Sequence, residues 1–236
     1  MNTFQILSPI PEVRYFLFPH KRNQDKVKVY RNYLGTIYTV CVVDGWHNPE
    51  RITGNVAGQQ AAEFIINLFP RLFLESSIPN YTERAQAIAD IVNQKLLQCF
   101  PRYVSGVGTF IFRYNDKTVI TTIGTITTMV LKENKWIKPK EFADNKLNWQ
   151  TNESGSATFL GRGELEGNKK YSHRMATVVY GSSIPVLILT DGADDVINYQ
   201  QIVTRNSQND FIEKLLKEVM QNKKNQRDDI SVLLAF

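Results

Sequence analysis

Apolar and polar positions follow two rhythms along this chain, a period near two and a period near 3.6, and the changes of rhythm mark its elements. Residues 12–19 (EVRYFLFP) and 26–30 (KVKVY) carry strand periodicity on either side of the polar stretch 20–25. Next comes YTVCVV at 38–43, an unbroken apolar run that halts on Asp44-Gly45. Such a β-branched run predicts a strand buried on both faces, and the glycine permits a sharp exit and close backbone approach to a ligand. Residues 54–72 then set Ala57, Ala61, Phe64, Ile65, Leu68 and Phe69 on one helical face, and residues 82–100 repeat the device with Ala85, Ile88, Val92, Leu96 and Cys99. The two helices are expected to pair across one side of a sheet.

Strand rhythm returns at 108–114, 118–123 and 126–132, and the short connections predict antiparallel neighbours. The polar, Gly-rich segment 144–168 predicts a loop with a helical turn at Phe159-Leu160. Strands at 173–180 and 185–190, turned by 181–183, precede an amphipathic helix at 211–220 and a closing strand at 229–236. Runs of strands interspersed with grouped helices indicate an α+β fold.

Three of these strands share one feature. The run at 38–43 ends on Asp44, the strand at 185–190 ends on Asp191-Gly192, and Asp228-Asp229 opens the last strand. Carboxylates at the ends of three buried strands suggest a site for hard cations, which take oxygen ligands and leave room for water. Each also has a plainer reading: a strand-ending turn for Asp44-Gly45, an N-cap with first-turn acids for Asp191, Asp194 and Asp195, and a solvated charge for Asp228. Asp229 is expected to be such a solvated charge.

With 236 residues, 42% of them hydrophobic and 22% charged, the chain can bury one substantial core, and one domain spanning 1–236 is expected. The net charge of +5 is spread along the chain, apart from small clusters at 132–140 and 223–227 that are read as solvated faces in preference to a nucleic-acid stripe. Cys41 and Cys99 show no metal-ligand spacing and look like small buried hydrophobes of a reducing compartment. No apolar run approaches the ~18 residues of a membrane span, and the N-terminus lacks signal-peptide order. A cytoplasmic protein without nucleic-acid or membrane partners is expected.

Four blocks, in order, resemble the metal-dependent protein phosphatase family of type 2C: RNQD (22–25), VVDG (42–45), TDGADD (190–195) and RDDISVLL (227–234). Between them SGVGTF (105–110) and TIGTITTMVL (122–131) resemble the family's central strand and hairpin. The resemblance implies a four-layer α-β-β-α sandwich of two antiparallel sheets flanked by helix pairs. It implies hydrolysis of phosphoserine or phosphothreonine in proteins by a bridging hydroxide on a binuclear Mn²⁺ or Mg²⁺ centre, with no phosphoenzyme. By position Asp44 and the Gly45 carbonyl would hold metal, Asp191 and Asp228 would hold the second ion, and Asp25 would orient metal-bound water. A phosphorylated protein substrate, and with it an opposing kinase, are the implied partners.

The departures from the family pattern are equally specific. Thr125 stands where the hairpin carries an aspartate that helps bind a third ion. Trp46 follows the Asp-Gly pair where the family tends to have a histidine, and His47 lies one residue further on as the candidate proton donor. Gln24 replaces a glutamate. The phosphate-binding arginine is displaced, so His20, Lys21 or Arg22 can each supply positive charge, with Arg22 best suited to a phosphate fork. These changes leave open a rival of another class: a phosphatase-fold regulator that binds a phosphoprotein without turnover.

Overall fold

The computed structural model describes residues 13–19, 23–31, 37–47, 56–101, 104–124, 126–143, 160, 175–181, 183–194, 196–197, 211–222 and 228–236. In chain order the elements are β1 (Val13–Phe18), β2 (Asp25–Arg31), β3 (Tyr38–His47), α1 (Ala57–Glu75), α2 (Tyr81–Cys99), β4 (Val104–Arg113), β5 (Thr118–Ile123), β6 (Thr127–Lys132), β7 (Lys135–Ile137), α3 (Lys140–Ala143), β8 (Met175–Tyr180), β9 (Val186–Leu189), α4 (Asp191–Asp194), α5 (Phe211–Asn222) and β10 (Ile230–Ala235). The strands form two five-stranded sheets, β1-β10-β9-β6-β7 and β2-β3-β4-β5-β8, and every pairing is antiparallel.

Side-chain alternation sorts the core into three layers between four. On β3, Cys41 and Val43 pack with Ala62, Ile65 and Phe69 of α1 and with α2, while Val40 and Val42 face the other sheet. On β10, Leu233 and Ala235 face that same gap, while Ile230, Val232 and Leu234 pack on Phe211, Leu215 and Val219 of α5. A strand covered on both sides needs no polar face, which is why these runs are continuously apolar. The result is the expected sandwich: α1 and α2, the second sheet, the first sheet, then α5 with the short α4. Aromatic stacking seats α1, Phe69 on Phe110 at 4.2 Å and Phe73 on Phe112 at 4.0 Å between centroids.

Several expectations are corrected. β3 does not stop at Asp44-Gly45 but stays paired with β4 through His47. The short β5–β6 and β8–β9 connections do not join neighbours; each crosses from one sheet to the other. Loop length cannot distinguish a hairpin from a step between stacked sheets. Leu160 forms a β-bridge to Gly106 instead of a helical turn, and the remainder of 144–168 lies outside the described residues. Cys41 is buried, but Cys99 at the end of α2 is exposed. β7 was not anticipated; its Trp136 stacks on Phe211. Among the described residues no helix is long and apolar enough to cross a membrane.

Candidate active site

Asp25, the first residue of β2, lies directly opposite Asp44 of β3 in the antiparallel register. Residues two apart share a face of a strand, so Asp44 points into the inter-sheet gap with Val40 and Val42, and Asp25 points with it. The other sheet completes the constellation from across the gap. Thr190 follows the end of β9, Asp191 opens α4, and Asp228-Asp229 lead into β10. All five carboxylates therefore lie at one end of the sandwich.

Hydrogen bonds tie the two sheets together there. Asp25 Oδ2 accepts from Thr190 Oγ1 at 2.8 Å and from Ser231 Oγ at 2.6 Å. Ser231 lies on the gap face of β10, and its own amide donates to Thr190 Oγ1 at 2.9 Å. Asp229 Oδ2 accepts from the backbone amides of Gln24 and, at 3.3 Å, Asp25. Asp191 and Asp228 each accept from the amide of the residue after them at 2.8 Å, which orients each carboxylate against its own backbone.

The electrostatics are those of crowded like charges. Burial pushes the Asp44 carboxyl well above the usual carboxylate range, and Asp25, Asp191, Asp228 and Asp229 push it further. Asp25 is raised for the same first reason, with the Ser231 and Thr190 hydroxyls opposing and Asp229 and Asp191 adding to the rise. Such an arrangement is costly unless a cation or protons neutralise it. Oxygen donors with surplus negative charge fit a hard divalent ion. Among the described residues, no three His, Cys, Asp or Glu side chains converge into a ligand set as they stand, so closing on an ion requires side-chain movement.

Not every expected residue joins this cluster. His47 faces the helix side of β3, alternating with Val43 and Gly45; it is 1% exposed and its Nδ1 is 2.6 Å from Gln24 Nε2. The half-buried Trp46 has the parity of Asp44 and takes the gap side. Gln24 is buried beneath α1 and is thereby part of the scaffold of the site. Arg22, His20, Lys21 and Thr125 lie outside the described residues.

Gly45 and Gly192 owe their identity to packing. A Cβ on Gly45 would overlap the carbonyl oxygen of Gly58 in α1, and one on Gly192 would overlap the carbonyl oxygen of Asp229. Sequence reasoning missed Thr190, Ser231 and Asp229. A single hydroxyl within the otherwise apolar run ISVLLA was the available signal for Ser231. The expectation for Asp229 is overturned: it is 2% exposed, not solvated, because its carboxylate accepts the β2 amides.

The architecture matches that of solved phosphatases over nearly the whole chain. The serine/threonine phosphatase of S. agalactiae superposes with a TM-score of 0.66 at 13% identity, covering 95% of this chain and 99% of that one. The chain has the type 2C phosphatase fold. Two further structures agree with that fold assignment. Stp1 from Staphylococcus aureus gives a TM-score of 0.62 at 12% identity, with 100% and 98% of the two chains covered. The catalytic domain of the serine/threonine phosphatase PstP, in complex with two manganese ions, gives 0.60 at 14%, with 94% and 97% covered. No sequence-family model and no curated protein sequence matches the chain.

Proposed function

We propose that residues 1–236 form a single cytoplasmic phosphatase domain that hydrolyses phosphoserine or phosphothreonine in proteins with the help of two Mn²⁺ or Mg²⁺ ions. The observation that carries this reading is the placement of Asp25, Asp44, Asp191, Asp228 and Asp229, drawn from both sheets, at one end of the inter-sheet gap. Asp44 and the Gly45 carbonyl, with Asp191 and Asp228, are the groups that would hold the metal. When bound, divalent ions supply Lewis-acid activation of water and neutralise the phosphoryl charge.

The chain's own residues do the rest. Asp25, held through one oxygen by Thr190 and Ser231, keeps its carboxylate aligned to orient a water in the gap. Arg22 is assigned to the phosphoryl oxygens, where a guanidinium fork matches their geometry. His47 is assigned to the scaffold through its contact with Gln24, so the leaving oxygen takes its proton from solvent.

The test is phosphate release from p-nitrophenyl phosphate and a phosphothreonine peptide with Mn²⁺, Mg²⁺ or EDTA. Asp44→Asn runs as the control. Turnover that needs the metal and disappears in the variant is expected. The withdrawal of His47 from the gap favours the second reading, a phosphoprotein-binding regulator. Folded, Mn²⁺-bound protein with no turnover above Asp44→Asn would replace the first reading by the second.

A further inference from the structure

Asp229 is a buried carboxylate that the metal-holding set above does not use. Its Oδ2 receives the Gln24 and Asp25 amides of β2, while its own amide donates to Asp228 Oδ1 at 2.8 Å. Its carbonyl oxygen takes a long 3.5 Å contact from the Thr190 hydroxyl, and Gly192 packs against that same carbonyl. One residue thus touches the start of β2 in one sheet and the β9 end, α4 and Asp228 in the other.

The side chain's reach decides what this does. Asp25 and Asp44 belong to one sheet, Asp191 and Asp228 to the other, and at this end like charges push the sheets apart. An acceptor bridging two backbone amides resists that separation through the main chain, whatever the rotamers of the other carboxylates. We propose that Asp229 is a positioning residue: a cross-sheet strut that sets the spacing between the Asp25–Asp44 pair and the Asp191–Asp228 pair, and thereby the affinity of the site for divalent metal. This rests on the metal-dependent reading above. The strut needs an oxygen acceptor and no negative charge, whereas a carboxylate ligand turned into an amide loses the charge that helps hold the cation.

The experiment separates the two roles by calorimetric titration of Mn²⁺ into the full chain. The variants are Asp229→Asn, Asp229→Ser and Asp228→Asn. Asparagine keeps an acceptor of the same reach and is expected to hold Mn²⁺ within about threefold of wild type. Serine cannot span to β2 and is expected to weaken binding about tenfold or more, in the range found when groups that orient metal ligands are removed. Val219→Ala, a remote core change that lowers stability, is expected to leave the affinity unchanged. Loss of binding in Asp229→Asn as severe as in Asp228→Asn would overturn the strut and make Asp229 a ligand. Equal affinity in Asp229→Ser and wild type would also overturn it. Wild-type protein that takes no Mn²⁺ would instead sink the metal-dependent reading itself.

Discussion

Replacing Gly45 by alanine tests how tightly the site is built into the helix above it. Gly45 lies within β3, and the positive φ among the described glycines belongs to Gly124 (85°), so backbone conformation does not require glycine at 45. Space does. The new Cβ would overlap the Gly58 carbonyl oxygen, lie 2.6 Å from its carbon and 3.1 Å from Ala62 Cβ. Restoring ordinary contact of 3.4 Å or more means moving backbone against backbone by about 1.5 Å. The yielding partner would be α1, whose Ile65 and Phe69 are fully buried on β3 and β4. Overpacking costs about 1–3 kcal/mol where side chains can adjust. With main chain on both sides, about 3 kcal/mol is expected, a fall in Tm of roughly 6–12 °C for a chain of this size. Urea and thermal unfolding measure it. Gly58→Ala is the internal comparison, since its Cβ meets the Gln24 amide (2.9 Å to Cδ), a side-chain end that can turn aside. It should cost less than Gly45→Ala. A Gly45→Ala protein within 1 kcal/mol of wild type, as a glycine merely ending a strand would allow, refutes the packing argument.

Two further outcomes follow from the carboxylates and from His47. The folded-state pKa values of Asp25 and Asp44 are raised, so their contribution to stability is fully present below the unfolded carboxylate value and is lost as pH rises through the folded values. In EDTA the protein should therefore melt higher at about pH 5.5 than at about pH 8, and Asp44→Asn or saturating Mn²⁺ should flatten that slope; a profile identical in EDTA, in Mn²⁺ and in the variant would refute the coupling. His47→Ala removes a buried partner of Gln24 and should lower stability by about 1–3 kcal/mol, while the pH profile of kcat keeps its shape; a lost limb in that profile would return His47 to the chemistry.

Most of the elements were legible because strands buried on both faces leave long apolar runs and α1 and α2 leave clear 3.6-residue stripes. Sheet membership was not legible: the connections after Ile123 and Tyr180 look like hairpins, yet each steps between sheets. At the site, Asp44, Asp191 and Asp228 stand out since a carboxylate directly beside an apolar run is conspicuous. Asp229 looked like a second surface charge because its partners, the amides of Gln24 and Asp25, lie about 205 residues away in the chain. Main-chain donors leave no trace in residue identity. The face taken by His47 was not legible either: proximity to Asp44 in sequence says nothing about which side of β3 a residue takes, and alternation puts it under α1.

The position of β10 between β1 and β9 shapes how this molecule is made. The strands β2 to β5 and the helices α1 and α2 are synthesised as one block and can assemble while later residues are still being added. β1 must wait for its partner across about 210 residues, an interval of roughly 10–40 s at ordinary elongation rates. Until β10 is in place, the sheet that covers Val40, Val42, Val107, Ile111 and Ile120 lacks the strand that joins β1 to β9. Until then part of that apolar face is bare, and the candidate site lacks the carboxylates of residues 228 and 229. Residues 228–235 end both conditions together, since the strand that covers the greasy surface also delivers the last carboxylates.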